Sequence, residues 1–105
     1  MEKGKNKTSG FVKIREKVWR KPLARDDARK VQMDILKIEP GLVDPPHWHD
    51  DWEWVYILEG DLIDEKGVHK RGEFVINGKD TKHEPRSKSG CTAIIVWCGS
   101  VRHKP

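Results

Sequence analysis

The sequence predicts an all-β fold, a single barrel or sandwich. Three observations carry this: short period-two apolar runs, turn signals at regular spacing between them, and a length of 105 residues. That length accommodates one core and no second domain, because single cores run to about 100–150 residues.

The elements follow in order. Residues 1–9 are Lys-rich and nearly free of apolar side chains, so a basic, disordered tail is expected there. Val12-Lys13-Ile14-Arg15 alternates, and Val31-Gln32-Met33-Asp34-Ile35 does so more cleanly. Residues 23–30 read equally as a helical turn or a loop, given Pro22 and the Asp26-Asp27 pair. Trp54-Val55-Tyr56-Ile57-Leu58 and Ala93-Ile94-Ile95-Val96-Trp97 are continuous β-rich runs. Pro- and Gly-containing turns separate these runs, among them Glu39-Pro40-Gly41, Glu59-Gly60-Asp61, Asn77-Gly78 and Lys88-Ser89-Gly90. The folded domain is expected over residues 10–101, with a short tail at 102–105.

Composition narrows the function. Charged residues make up 36% of the chain against about 25% in an average domain, which predicts a soluble protein with a modest core. No apolar run approaches the roughly 18 residues of a membrane helix, and no signal-peptide core opens the chain. The expected location is the cytoplasm. The net charge of +4 comes from residues 1–8 and from Arg102 and Lys104, leaving the intervening chain neutral. A nucleic-acid binder concentrates basic residues on a folded face, so nucleic acid is not an expected partner. Cys91 and Cys98 at the ends of one strand would lie roughly 23 Å apart, far beyond a disulfide's reach of about 4.4–6.8 Å. Both are expected as reduced thiols.

Parity locates a candidate site. His47, His49 and Glu53 share a parity with Val55 and Ile57, and so point to the interior. Three polar side chains buried in a β interior need partners, and imidazoles with a carboxylate suit a divalent transition metal. His83 follows a turn close to the last β-run and is the candidate fourth ligand. A polar surface loop with idle histidines is the alternative on spacing alone. Asp50 and Asp51 compete as ligands, although Asp50 has the wrong parity. His69 reads as a solvated edge residue, and His103 belongs to the tail.

The opposite parity of that strand carries Trp52, Trp54, Tyr56 and Leu58. This aromatic face must be covered by the rest of the chain or by another subunit, and a homodimer is expected. With Trp48, the tryptophans could instead line a substrate pocket, but packing is the stronger reading. Arg86 reads as exposed, with a substrate carboxylate as its alternative partner. Ser87 and Cys91 read equally as packing or as groups behind the ligands.

Gly41, His47, His49, Glu53 and Gly60 stand at the spacing G-x5-H-x-H-x3-E-x6-G, which resembles the first motif of the cupin superfamily in full. Gly72 and His83 match its second motif, G-x5-P-x-G-x2-H-x3-N, while Gly78, Asp80 and Ser87 replace the Pro, the second Gly and the Asn. The resemblance covers roughly residues 32–99. It implies a cupin β-barrel, the jelly roll or double-stranded β-helix of the RmlC-like proteins. It also implies one divalent metal per chain (Fe, Zn, Mn or Ni) held by His47, His49, Glu53 and His83.

Residues 56–67, 83–87 and Gly90-Cys91 are similar to the cupin domain of ChrR-type anti-sigma factors and to small stand-alone relatives, among them diketone-cleaving dioxygenases. The first group implies a zinc-binding sensor module, the second an iron enzyme. Only residues 1–10 precede the first strand, so an anti-sigma role is not expected. The dioxygenases use three histidines, from which Glu53 departs. Three neutral imidazoles and one carboxylate leave a divalent site at +1, and six-coordination leaves two positions for water, dioxygen or substrate. Glu53 would serve as a permanent ligand or as a base that leaves the metal. The favoured function is a metal-dependent, oxygenase-like enzyme acting on a small chelating substrate in the barrel. The alternative is a non-catalytic metal- or ligand-sensing module, with a metal-free sugar-nucleotide epimerase a distant third.

Overall fold

The computed structural model describes residues 10–102. The expected basic tail at 1–9, and His103, lie outside them. Ten strands make up the described chain: β1 (Val12–Arg15), β2 (Val18–Asp26), β3 (Val31–Ile38), β4 (His47–His49), β5 (Glu53–Asp64), β6 (Gly67–Lys70), β7 (Phe74–Asn77), β8 (Lys82–His83), β9 (Cys91–Cys98) and β10 (Val101–Arg102). The all-β class holds. No helix among the described residues is long and apolar enough to cross a membrane.

All pairings are antiparallel. The large sheet runs β1-β2-β3-β9-β5-β6, with β7 also pairing β5, and the small sheet runs β10-β4-β8. Strand β5 is shared: Glu53 to Tyr56 pair with β7, and Asp61 to Asp64 pair with β6. The change of partner falls beside a register shift between Ile57 and Glu59. Gly60 follows at φ 83°, where a Cβ would stand 2.0 Å from the Gly90 carbonyl oxygen. Only glycine fits that approach.

The interior is built from alternate residues of the long strands, the inward parity of β5 reversing at its register shift after Ile57. Leu36 and Ile38 on β3, Val55 and Ile57 on β5, Val75 on β7, and Ala93 and Ile95 on β9 join Val18, Leu42, Leu62 and Cys91 in one buried cluster. Fully burying a side chain such as Ile57 contributes about 1.5–3 kcal/mol. Outside the strands, the Ser87 N–H donates to the Leu42 carbonyl at 3.0 Å.

Two expectations change. Leu23 to Asp26 form neither helix nor loop but the end of β2, a stretch where no apolar alternation marks a strand. Its hydrogen bonding comes from β3, and a bulge between Pro22 and Ala24 absorbs the proline, which cannot donate to a ladder. The chain then turns at residues 27–30, with the Asp26 carboxylate accepting from Arg29 N–H at 3.1 Å. At the other end, strand β10 continues to Arg102, which pairs with Trp48.

The outer face of the large sheet is open. Trp54 sits between Ile76 and Val96, and Tyr56 between Phe74 and Ile94, making a two-rung apolar ladder across β7, β5 and β9. Trp52, Trp54, Phe74 and Ile76 are 46%, 38%, 66% and 49% exposed. The rest of the described chain leaves this face uncovered.

Candidate metal centre

The four predicted ligands come from three strands, and His47, His49 and Glu53 do not share one extended segment. β4 and β8 lie side by side with His47 directly opposite His83, and His49 follows two residues later on the same face of β4. Glu53 opens β5 in the other sheet, after the link through residues 50–52. The turn before β8 survives the motif's substitutions. Asp80 holds the left-handed conformation (φ 62°) in place of glycine, which Asp tolerates better than most residues. Its N–H donates to the His49 carbonyl at 2.7 Å, and His49 N–H donates back to Thr81 O at 3.3 Å. The Asp80 carboxylate accepts from Arg102 at 2.8 Å.

The structure brings the four side chains together. Ring centroids stand 4.9 Å apart for His47 and His49, 5.2 Å for His47 and His83, and 5.6 Å for His49 and His83. Glu53 Oε1 lies 3.5 Å from His49 Nε2 and accepts a hydrogen bond from Asn77 Nδ2 at 2.8 Å. His49, Glu53 and His83 are 2%, 4% and 3% exposed.

Burial sets the charge state. Desolvation, reinforced by the neighbouring imidazoles, pushes His49 and His83 down to about 4, so both are neutral at pH 7. Desolvation lifts Glu53 to about 7 against the opposing Asn77 hydrogen bond. His49 Nε2 is buried with no hydrogen-bond partner. An orphaned imidazole nitrogen beside two further imidazoles and a carboxylate fits a divalent transition metal, since neutral imidazole is the ligating form.

A second carboxylate stands behind the cluster. Asp64, Glu65 and His83 offer donor atoms within 4.8 Å of one another. Glu65 is exposed, whereas the Asp64 side chain is fully buried. Asp64 Oδ2 lies 3.6 Å from His83 Nδ1 and has no hydrogen-bond partner. Its Oδ1 meets His69 Nε2 at 2.8 Å and accepts the Lys66 N–H at 2.9 Å. His69 is therefore half-buried against a carboxylate, not a solvated edge residue. Its place opposite Leu62 on β5 directs it to Asp64. Alternation counted from Val55 and Ile57 would have placed Leu62 and Asp64 outward, because the register shift after Ile57 reverses the inward parity of β5; nothing local in the sequence linked Asp64 to His83.

His47, Glu53 and His83 border a cavity of about 390 Å³ that the apolar side chains of Leu36, Ile38, Val55, Ala93 and Ile95 also line. The volume suits a small ligand. Trp97 is the tryptophan of this cavity, and its indole donates to Asp34 at 2.6 Å. Trp52 and Trp54 stack on the outer face with centroids 6.3 Å apart. Cys91 lines the cavity too, but burial pushes its thiol up to about 12, which leaves it unreactive at pH 7. Both cysteines are free.

The remaining candidates fall elsewhere. Asp50 engages Arg102 in an ion pair, and exposed Asp51 accepts the Trp52 N–H at 2.8 Å. Arg86 is exposed, its backbone bridging Val43 and Ile63. Ser87 Oγ donates to Asp61 O at 2.8 Å and accepts from Gly90 N–H at 3.0 Å, which gives it a role in the loop.

Comparison with known proteins adds the lineage. The family model described as the ChrR Cupin-like domain matches residues 4–101. No curated protein matches. An RmlC-like cupin from Ralstonia eutropha superposes with a TM-score of 0.77 at 22% identity, covering 84% of this chain and 60% of its own length. The acetylacetone dioxygenase of Acinetobacter johnsonii gives 0.81 at 12% identity over 96% of this chain and 76% of that one. The complex of Rhodobacter sphaeroides SigE with the anti-sigma ChrR gives 0.74 at 20% identity over 83% of this chain and 48% of the matched one. At these identities the similarity establishes the cupin fold.

Proposed function

We propose that this chain, which belongs to the ChrR cupin-like domain family, binds one divalent transition metal through His47, His49, Glu53 and His83 and acts as a non-haem oxygenase on a small chelating compound. The observation that carries the reading is the buried, unpartnered Nε2 of His49 beside His47, Glu53 and His83, the three residues that border a largely apolar cavity. The likeness of the fold to an acetylacetone dioxygenase supports the choice of chemistry.

Each residue then has a task. The imidazoles of His47, His49 and His83 supply uncharged donors. Glu53 supplies the anionic donor, and Asn77 holds its Oε1 in place. If His83 held the ion through Nε2, its proton would reside on Nδ1, the nitrogen that faces the unpartnered Asp64 Oδ2. Carboxylates behind ligating histidines orient the ring and fix its tautomer in this way. A bound divalent ion supplies Lewis-acid polarisation of a chelating substrate oxygen. The apolar walls keep water from the substrate's carbon atoms.

The open sheet face supports a homodimer. It is uncharged across two rungs and centres on the stacked Trp52 and Trp54, so a second copy meets it with an identical apolar patch. The cytoplasm is the proposed compartment, one in which both free thiols stay reduced.

The sensor reading is kept because the matching family takes its name from ChrR. Metal-dependent oxygen uptake with diketones and related chelators separates the two. Iron-dependent uptake supports the enzyme. Tightly held zinc without turnover supports the sensor.

A further inference from the structure

The same cavity holds a cation that the proposed metal centre does not use. Arg20 lies on β2 with the inward parity of Val18, opposite Leu36 on β3, and its side chain lines the cavity together with His47, Glu53 and His83. It is half-buried, and among the described residues it has no hydrogen-bond or ion-pair partner. Its neighbour Arg15, on the same wall, shows the usual remedy: Arg15 Nε donates to Asp44 Oδ1 at 3.1 Å and Nη2 to Oδ2 at 2.5 Å. That fork occupies the Asp44 carboxylate. Glu53, the other acid of the cavity, is held by Asn77 on the side of His49.

A half-buried guanidinium against apolar walls carries donors that only water or a ligand can satisfy. Its planar fork matches a carboxylate bidentately, and a single arginine balances one negative charge. We infer that Arg20 is the anion anchor of the cavity, and that the ligand is a small carboxylate whose other end carries the oxygen atoms that face the metal centre. A keto acid of a few carbons has this form, with an apolar middle for Leu36, Val55 and Ala93. The chelating end of this inference rests on the proposed metal site; the anchoring end does not.

The test uses zinc-loaded protein, calorimetric titration, and two probes of similar size: acetoacetate, which carries a carboxylate, and acetylacetone, which has a methyl ketone in its place. Arg20→Met should weaken acetoacetate binding at least tenfold relative to wild type. In that variant, similar in length and uncharged at this position, zinc stoichiometry and acetylacetone affinity should stay within twofold. Arg20→Lys keeps the charge without the fork and should fall between the two, which covers the case that Arg20→Met does not fold. Equal acetoacetate affinity in wild type and both variants overturns the anchor. If wild type takes up no zinc, the metal reading fails by itself. The anchor is then decided by acetoacetate titrated into metal-free wild type and Arg20→Lys, where an undiminished affinity in the variant overturns it.

Discussion

Asn77 donates to Glu53 at 2.8 Å from the neighbouring strand, and its own side-chain oxygen accepts from Lys66 at 3.0 Å. The pair sits where β5 and β7 are in register, Glu53 opposite Asn77, so backbone pairing sets the orientation of the carboxylate. Burial raises Glu53 to about 7, and the Asn77 hydrogen bond opposes that rise.

Metal affinity should therefore depend on pH near neutrality. Ligation requires the carboxylate, so zinc binding strengthens as pH rises through about 7 and Glu53 loses its proton. Removing the hydrogen bond in Asn77→Leu lifts Glu53 further and moves the midpoint to higher pH. Chelator-competition titrations from pH 6 to pH 8.5 check this. An unmoved midpoint in the variant would detach Asn77 from the role assigned to it.

The metal-free protein should lose stability on mild acidification. His49 and His83 have folded values of about 4 against 6.5 when unfolded, so the unfolded chain takes up protons first and stability falls between those values. Glu53 runs the other way, because its folded value of about 7 exceeds 4.5. Its contribution is present below the lower value and lost as pH rises through the upper one. Two groups against one leave a net loss of about 1.4 kcal/mol per pH unit between roughly pH 4.5 and 6.5. Urea unfolding of chelator-treated protein at pH 6.5 and 5 measures it. Greater stability at pH 5 would contradict the assigned protonation states.

Asp64→Asn keeps an acceptor for His69 and for the Lys66 N–H but removes the charge that faces His83. Losing such a carboxylate typically weakens metal affinity about 10–100-fold. The same protein should show the His83 ring nitrogens with altered nitrogen-15 shifts in the zinc-loaded state. Unchanged affinity and unchanged shifts would make Asp64 a purely structural residue.

Trp54→Lys places a charge at the centre of the open sheet face while leaving the interior parity of β5 untouched. The wild type should sediment as a dimer and the variant as a folded monomer. A monomeric wild type would leave the apolar ladder without the proposed partner.

Alternation and turns made most of this architecture legible. Glu53, Val55 and Ile57 are buried as their shared parity predicts, and β1 spans Val12–Arg15 as the alternation marks it. That His47 and His49 share a face was legible through spacing, since they are separated by the two-residue period of a strand. β2 was not legible: its Lys, Arg and Pro residues carry no alternation, and β3 supplies the order that holds it. Arg20, Asp64 and His69 were illegible as site residues for a related reason. Their meaning lies in contacts between strands, where Arg20 faces the cavity unpaired and Asp64 joins His69 to His83. Nor does local sequence say that Trp97 lines the cavity while Trp52 and Trp54 lie outside, although parity already separates them.

The most direct test of the metal centre is the metal-to-chain stoichiometry of the untagged protein, measured by elemental analysis alongside His83→Ala and His49→Ala. The account predicts close to one transition-metal ion per chain in the wild type and a large loss in both variants. Full occupancy in both variants, or no metal in the wild type after reconstitution with iron, zinc, manganese and nickel, would contradict it.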